Sequence, residues 1–271
     1  MDMRPKNQMI SVTDLTTYLY CPRLLYLKKV KKIPTPATKE MIAGRLKHQI
    51  LEEFSNSEEN LIRSLDRVYE NIDLVLLYDN LVKSIAERIF FENKKIIIAF
   101  RINEEELLRK VKRDFSEDIR LRIISIAEKL KLGLFKEELL NSLDKVYISE
   151  LKLESLELGL KGRVDRIEID RSKNKITPYE IKNRSEKIFY SDEIQLTAYA
   201  MLLENFYKTK VNSGVIESGT NKKEIIIQEE DRQSVLNLIE EVRLIESSVP
   251  EMLSNFSKCK SCSLNEICPN F

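Results

Sequence analysis

Residues 158–182 read LGLKGRVDRIEIDRSKNKITPYEIK, and this stretch decides the fold. Leu158 to Asp170 alternates apolar and polar side chains and carries Gly159 and Gly162. Ile176 to Lys182 is a further short strand-like run. Alternation with period two marks a strand with one buried face. Glu180 and Lys182 then point to the same face, and Asp165, fifteen positions before Glu180, can join them there from a neighbouring strand. Ile181 is expected in the opposite, apolar layer. Two carboxylates side by side repel unless a cation lies between them. Oxygen donors of this kind suit Mg²⁺ or Mn²⁺. An adjacent lysine can orient a water, help deprotonate it, or stabilise charge growing on a phosphate. These are the requirements of phosphodiester hydrolysis. The plainer alternative is a surface salt bridge, which is common for Glu and Lys two apart on one strand face.

Working outward, Val146 to Glu154 reads as the strand before, so that three strands form a meander. Downstream, Asp192 to Tyr207 is helical. Val211 to Ser218 and Glu224 to Gln228 are strands joined by a turn at Gly219-Thr220-Asn221, and Gln228 to Ile245 is a helix. Gln195 and Tyr199, at i and i+4, share one helix face and are placed to meet a DNA backbone or the rim of a site; an ordinary amphipathic edge is the alternative. Upstream, Ser11 or Thr13 caps a helix, and Cys21-Pro22 either breaks it or opens a second one. A helix over about Lys39 to Phe54 carries His48, the single histidine. Residues 57–145 are mostly helical, with Leu61, Leu65, Val68, Ile72 and Leu107, Val111, Phe115, Ile119, Ile123 at helical spacing. Ile96 to Ile102 fits a strand or a buried helical turn equally. The expected organisation is α/β: an N-terminal helical region (1–56), a helical insertion (57–145), a core with a mixed central sheet flanked by helices (146–250) and a cysteine-containing tail (251–271).

Composition bounds the function. The chain has 271 residues, 42% apolar and 33% charged, with only six Gly and seven Pro, which excludes collagen-like and low-complexity chains. No apolar run approaches a membrane span, and residues 1–10 lack a signal-peptide core, so the expected location is cytoplasmic. Net charge is +1, yet residues 1–50 carry ten Lys/Arg against Asp2, Asp14 and Glu40. That basic region either faces a polyanion or is a solvated helix face.

The four cysteines sit at the two ends: Cys21 alone, then Cys259, Cys262 and Cys268 as C-x2-C-x5-C. Three thiols so spaced in a cytosolic chain point to a metal more than to disulfides. Cys21 completes four ligands, which fit Zn²⁺ or an iron–sulfur cluster. Such a centre would staple the two ends of the chain together.

Tyr20-Cys21-Pro22, His48, Gly162-Arg163-Val164-Asp165, Tyr179-Glu180-Ile181-Lys182, Gln195-x-x-x-Tyr199 and Cys259-x2-Cys262-x5-Cys268-Pro269 follow one another in this order. The ordered set resembles the CRISPR-associated RecB-like exonucleases, the fourth Cas family, within the PD-(D/E)xK nuclease superfamily. The resemblance implies a restriction-endonuclease-like core. It implies a 4Fe-4S cluster on Cys21, Cys259, Cys262 and Cys268. It implies Mg²⁺ or Mn²⁺ on His48, Asp165, Glu180 and the Ile181 carbonyl, with Lys182 as catalytic lysine and Gln195 and Tyr199 beside the active site. It further implies digestion of single-stranded DNA or single-stranded overhangs, often from the 5′ end, and prespacer processing beside the CRISPR spacer integrase. A recombination or repair nuclease with the same site, and a non-catalytic metal-stapled DNA-binding adaptor, are the alternatives. The 117 positions from His48 to Asp165 exceed a compact member's spacing, and Glu150 is a further acidic candidate without a match in the pattern.

Overall fold

A computed structural model of the chain describes residues 9–182, 187–218, 221–252, 256–260 and 262–270. In chain order the elements are β1 (Ile10–Ser11), α1 (Val12–Tyr20), α2 (Pro22–Lys29), α3 (Lys39–Ser64), α4 (Asn71–Glu92), α5 (Lys94–Ala99), α6 (Glu104–Lys131) and α7 (Lys136–Ser142). There follow β2 (Lys145–Ser155), β3 (Leu160–Asp170), β4 (Lys175–Lys182), α8 (Tyr190–Tyr207), β5 (Ser213–Ser218), β6 (Asn221–Ile226), α9 (Glu229–Arg243) and α10 (Phe256–Lys260). The chain folds as two compact units: residues 1–36, 151–169 and 175–271, and residues 37–150 with 170–174. None of the described helices is long and apolar enough to cross a membrane.

The first unit holds the mixed sheet, ordered β1-β3-β4-β5-β6, with β2 also pairing β3. β4 and β5 run parallel, with Glu180 opposite Ile216 and Lys182 opposite Ser218; β5 and β6 are antiparallel. Parallel neighbours need a crossover, and α8 supplies it. Because α8 returns over the strands it connects, almost every residue from Ile194 to Leu203 is buried. Two glycines permit the close approach. A Cβ on Gly162 would lie 2.8 Å from Val12 Cγ2 and 3.0 Å from Tyr199 Cε1, and one on Gly214 would lie 2.9 Å from Leu196 Cγ. Ser11 caps α1 through a reciprocal capping box with Asp14. Cys21 ends α1 and caps α2, with Pro22 at the first helical position, so the chain turns there without losing either helix.

The second unit is helical around an aromatic centre, where Phe54 and Phe115 meet edge to face at 5.4 Å. Glu58 is buried there, taking a hydrogen bond from Tyr78 (2.8 Å) and an ion pair from Arg122, whose guanidinium lies 4.3 Å from the Tyr147 ring centroid. A buried charge survives only with partners of this quality.

Several expectations shift. α3 runs on to Ser64, so the boundary expected at 56/57 falls inside a continuous helix whose buried face (Ile50, Phe54, Ile62) holds it in one piece. Ile96 to Ile102 is helical through Ala99, its short apolar run packing as α5. The cysteine-containing tail holds α10 and a 3₁₀ turn at Cys268–Asn270. Gly219 and Thr220 of the expected turn lie outside the described residues. So do Arg4 and Lys6 of the basic segment. Of its other cations, Arg23 and Lys47 are buried, and Lys29 is paired with Asp14 at 2.8 Å. Fewer charges therefore face solvent than the composition suggests.

Candidate active site

Strand alternation on β3 and β4 brings Asp165, Glu180 and Lys182 into one constellation in the first unit. Asp165 Oδ2 accepts the Ile181 backbone N–H at 2.8 Å, tying the two strands together at the site. Lys182 Nζ lies 2.7 Å from Glu180 Oε1. It donates to Gln195 Oε1 at 2.9 Å and lies 3.4 Å from Asp192 Oδ1. Gln195 Nε2 in turn donates to the Tyr199 hydroxyl at 3.0 Å. The ammonium thus has an acceptor for each of its three hydrogens. The salt-bridge alternative described a solvated pair; Glu180 is instead buried, at 3% exposure.

Two expectations are corrected here. Gln195 and Tyr199 were expected at a rim or against DNA; Tyr199 is buried, and the pair tethers the lysine, because the crossover lays α8 directly over β4. Ile181 was expected against an apolar layer. The opposite face of this part of the sheet carries instead a polar network: Arg166 pairs with Glu217 at 2.6 Å and lies 4.1 Å from the Tyr179 ring centroid, and Tyr179 donates to Glu168 at 3.1 Å.

Asp192 was missed in the sequence. Its Oδ2 accepts the Phe189 N–H at the start of α8 while Oδ1 faces Lys182, so one buried carboxylate both caps the helix and holds the lysine. Its position three residues before Gln195 on the same helix was the available signal. In the second unit, Glu150 on β2 is buried and contacts His48 Nδ1 from α3.

The donor set is testable for a divalent cation. Glu180 Oε2 is buried and has no hydrogen-bond partner among the described residues. An orphaned carboxylate oxygen with a second carboxylate close by suits a hard cation such as Mg²⁺ or Mn²⁺. Burial, then the charge of Asp165, push the Glu180 carboxyl from its ordinary 4.5 up to about 8, against the opposing pull of Lys182. A folded-state value above the unfolded one means that the folded chain keeps a proton the unfolded chain releases. Stability is then complete below the unfolded value and is lost as pH climbs from about 4.5 through about 8. Melting metal-stripped protein across that range is expected to give a Tm that falls with pH, and Glu180→Gln is expected to flatten the fall. Added Mn²⁺ is expected to raise Tm most at the alkaline end and to release protons on binding. A wild-type profile already flat would contradict the buried, protonated Glu180.

None of the four cysteines is in a disulfide. Cys21, Cys259, Cys262 and Cys268 all line one pocket of the first unit, together with Tyr20, Arg23, Leu27 and Leu264. Leu24 N–H donates to Cys21 Sγ at 3.4 Å. Arg23 holds the tail beside it, donating to Pro250 O at 2.7 Å and Cys268 O at 3.3 Å. Convergence of four thiols from both ends of the chain on one pocket fits a tetrathiolate centre.

The family model of the PD-(D/E)XK nuclease superfamily matches residues 9–269. Over 125 residues the chain is 32% identical to a CRISPR-associated exonuclease Cas4/endonuclease Cas1 fusion of Leptospira interrogans serogroup Icterohaemorrhagiae serovar Lai (strain 56601). That match covers 42% of this chain and 23% of the fusion's length. Among solved structures, the crystal structure of SSO0001 aligns over 59% of this chain and 79% of its own, with 24% identity and a TM-score of 0.33.

Proposed function

The chain belongs to the PD-(D/E)XK nuclease superfamily, and on that premise we propose that it is a Mg²⁺- or Mn²⁺-dependent deoxyribonuclease acting on single-stranded DNA or single-stranded overhangs. The observation that carries the reading is the Asp165–Glu180–Lys182 constellation, half-buried at Asp165 and Lys182 and buried at Glu180, with Glu180 Oε2 left without a protein partner among the described residues. Asp165, Glu180, the Ile181 carbonyl and His48 would hold the metal, which when bound supplies Lewis acidity toward the phosphate and a more acidic water. Lys182 stabilises negative charge growing on the phosphate oxygens and is aimed by Glu180, Asp192 and Gln195. Tyr199 fixes the Gln195 amide and so acts one bond further out.

Cys21, Cys259, Cys262 and Cys268 would hold a 4Fe-4S cluster that joins α2 to the tail. The identity to a Cas4/Cas1 fusion supports a place in CRISPR adaptation, and there the chain would trim prespacers, from the 5′ end, for the spacer integrase. The test is incubation of purified protein with 5′- and 3′-labelled single- and double-stranded DNA, with and without Mn²⁺. Metal-dependent shortening of the single strands is expected. Intact DNA under every condition would leave a DNA-binding adaptor as the better reading, and double-strand resection with helicase subunits co-purifying would favour a repair nuclease.

A further inference from the structure

Glu150 is the acidic residue the motif pattern did not absorb, and three observations set it apart. It sits on β2, where Tyr147, Ser149, Leu153 and Ser155 form the buried set of alternate residues; Glu150 is out of that phase and is buried nonetheless, at 2% exposure. Its backbone is left-handed, with φ of +60°, a conformation that is strained for a non-glycine residue. Its Oε1 contacts Nδ1 of His48, the single histidine of the chain. Two residues of α3 thus engage consecutive residues of β2, because Ser55 Oγ, two turns beyond His48, also accepts the Ser149 N–H at 2.8 Å. A surface acid has no need of a strained backbone or of complete burial. A carboxylate that must meet one ring nitrogen at a fixed angle has need of both.

We propose that Glu150 is a positioning residue that fixes the His48 imidazole as the Nδ1–H tautomer, leaving the Nε2 lone pair as a metal donor. Nδ1–H donates to the carboxylate, which orients the ring and makes Nε2 a stronger base. The inference rests on the metal-dependent reading above for its use. Loss of such an outer partner commonly weakens metal binding by about 10- to 100-fold.

A lone histidine makes the test direct. In protein labelled with ¹⁵N at the imidazole, the two nitrogen resonances of one residue report its tautomer. At alkaline pH and without metal, wild type is expected to show a protonated Nδ1 and an unprotonated Nε2. Glu150→Gln keeps a carbonyl acceptor and is expected to preserve that tautomer. Glu150→Ala is expected to revert to the Nε2–H form that predominates in free imidazole, with Mn²⁺ binding about 10- to 100-fold weaker. Wild type in the Nε2–H form, or an unchanged tautomer in a folded Glu150→Ala protein, would overturn the proposal. If Glu150→Ala does not fold, the wild-type tautomer and its retention in Glu150→Gln decide the matter. Absence of DNA cleavage from a protein showing the expected tautomer would count against the nuclease reading and leave the positioning role standing.

Discussion

Lys182→Ala is expected to lower the rate of DNA cleavage by roughly 10³-fold at saturating Mn²⁺, with the fold retained. The magnitude follows from how completely the ammonium is committed. Glu180 Oε1 at 2.7 Å, Gln195 Oε1 at 2.9 Å and Asp192 Oδ1 at 3.4 Å surround it, so its position is set before any substrate arrives. A preorganised cation contributes at the moment charge develops, without a cost of reorganisation. Removing it has a second effect. Glu180 is buried, and without the opposing pull of Lys182 it is driven further toward its protonated form. Metal affinity is therefore expected to fall too, which is why the rate must be read at saturating Mn²⁺ in single-turnover reactions. Asp165→Ala and Glu180→Ala are expected to be inactive at any metal concentration, since each removes a ligand. Tyr199→Phe breaks only the hydrogen bond behind Gln195 and is expected to cost far less, roughly 10-fold. Full cleavage by a folded Lys182→Ala protein would remove this mechanism.

Cys21→Ala is expected to yield colourless protein with no iron, against a brown wild type, the colour being that of a thiolate-bound iron–sulfur cluster. It is also expected to melt well below wild type. A link from position 21 to position 259 closes a loop of about 240 residues, and the chain-entropy relation for covalent cross-links gives about 5 kcal/mol for that length, an upper bound for a cluster. Part of the connection survives without thiolates. Arg23 still reaches Pro250 O and Cys268 O, and Tyr20 and Lys258 exchange hydrogen bonds at 3.2 and 3.3 Å. The expected outcome is accordingly a loosened tail on a folded sheet, seen as faster amide exchange from residue 256 onward. Unchanged metal content in Cys21→Ala would take Cys21 out of the centre, and stoichiometric zinc in colourless wild type would replace the cluster with a structural zinc site.

Much of the site was legible because its chemistry depends on short-range geometry. Strand alternation sets Glu180 and Lys182 on one face whatever surrounds them, and helical spacing sets Gln195 above Tyr199. The two cysteine positions could be paired by counting ligands, and the four thiols do share a pocket. What the residues around these positions do was less readable. Asp192 looked like an ordinary first-turn acid, and nothing local showed that it also faces Lys182. Glu150 stood out only as an acidic candidate without a match in the pattern; its burial and its left-handed backbone came into view with the fold.

The sequence alone determined the α/β class, the order of the longer strands and helices, and which side chains share a face, because all three follow from periodicities of two and 3.6 along the chain, whereas the two-residue β1 is too short to show a period. Tertiary structure alone decided that α3 continues past residue 57, that Gln195 and Tyr199 turn inward to hold a lysine, and that the reverse face of the sheet carries Arg166 and Glu217 in place of an apolar layer. The reason is physical. Local periodicity states which residues lie side by side, whereas burial and the partner of each charge depend on other elements, 13 positions away for Gln195 and Lys182 and 51 for Arg166 and Glu217, brought near only when the chain folds.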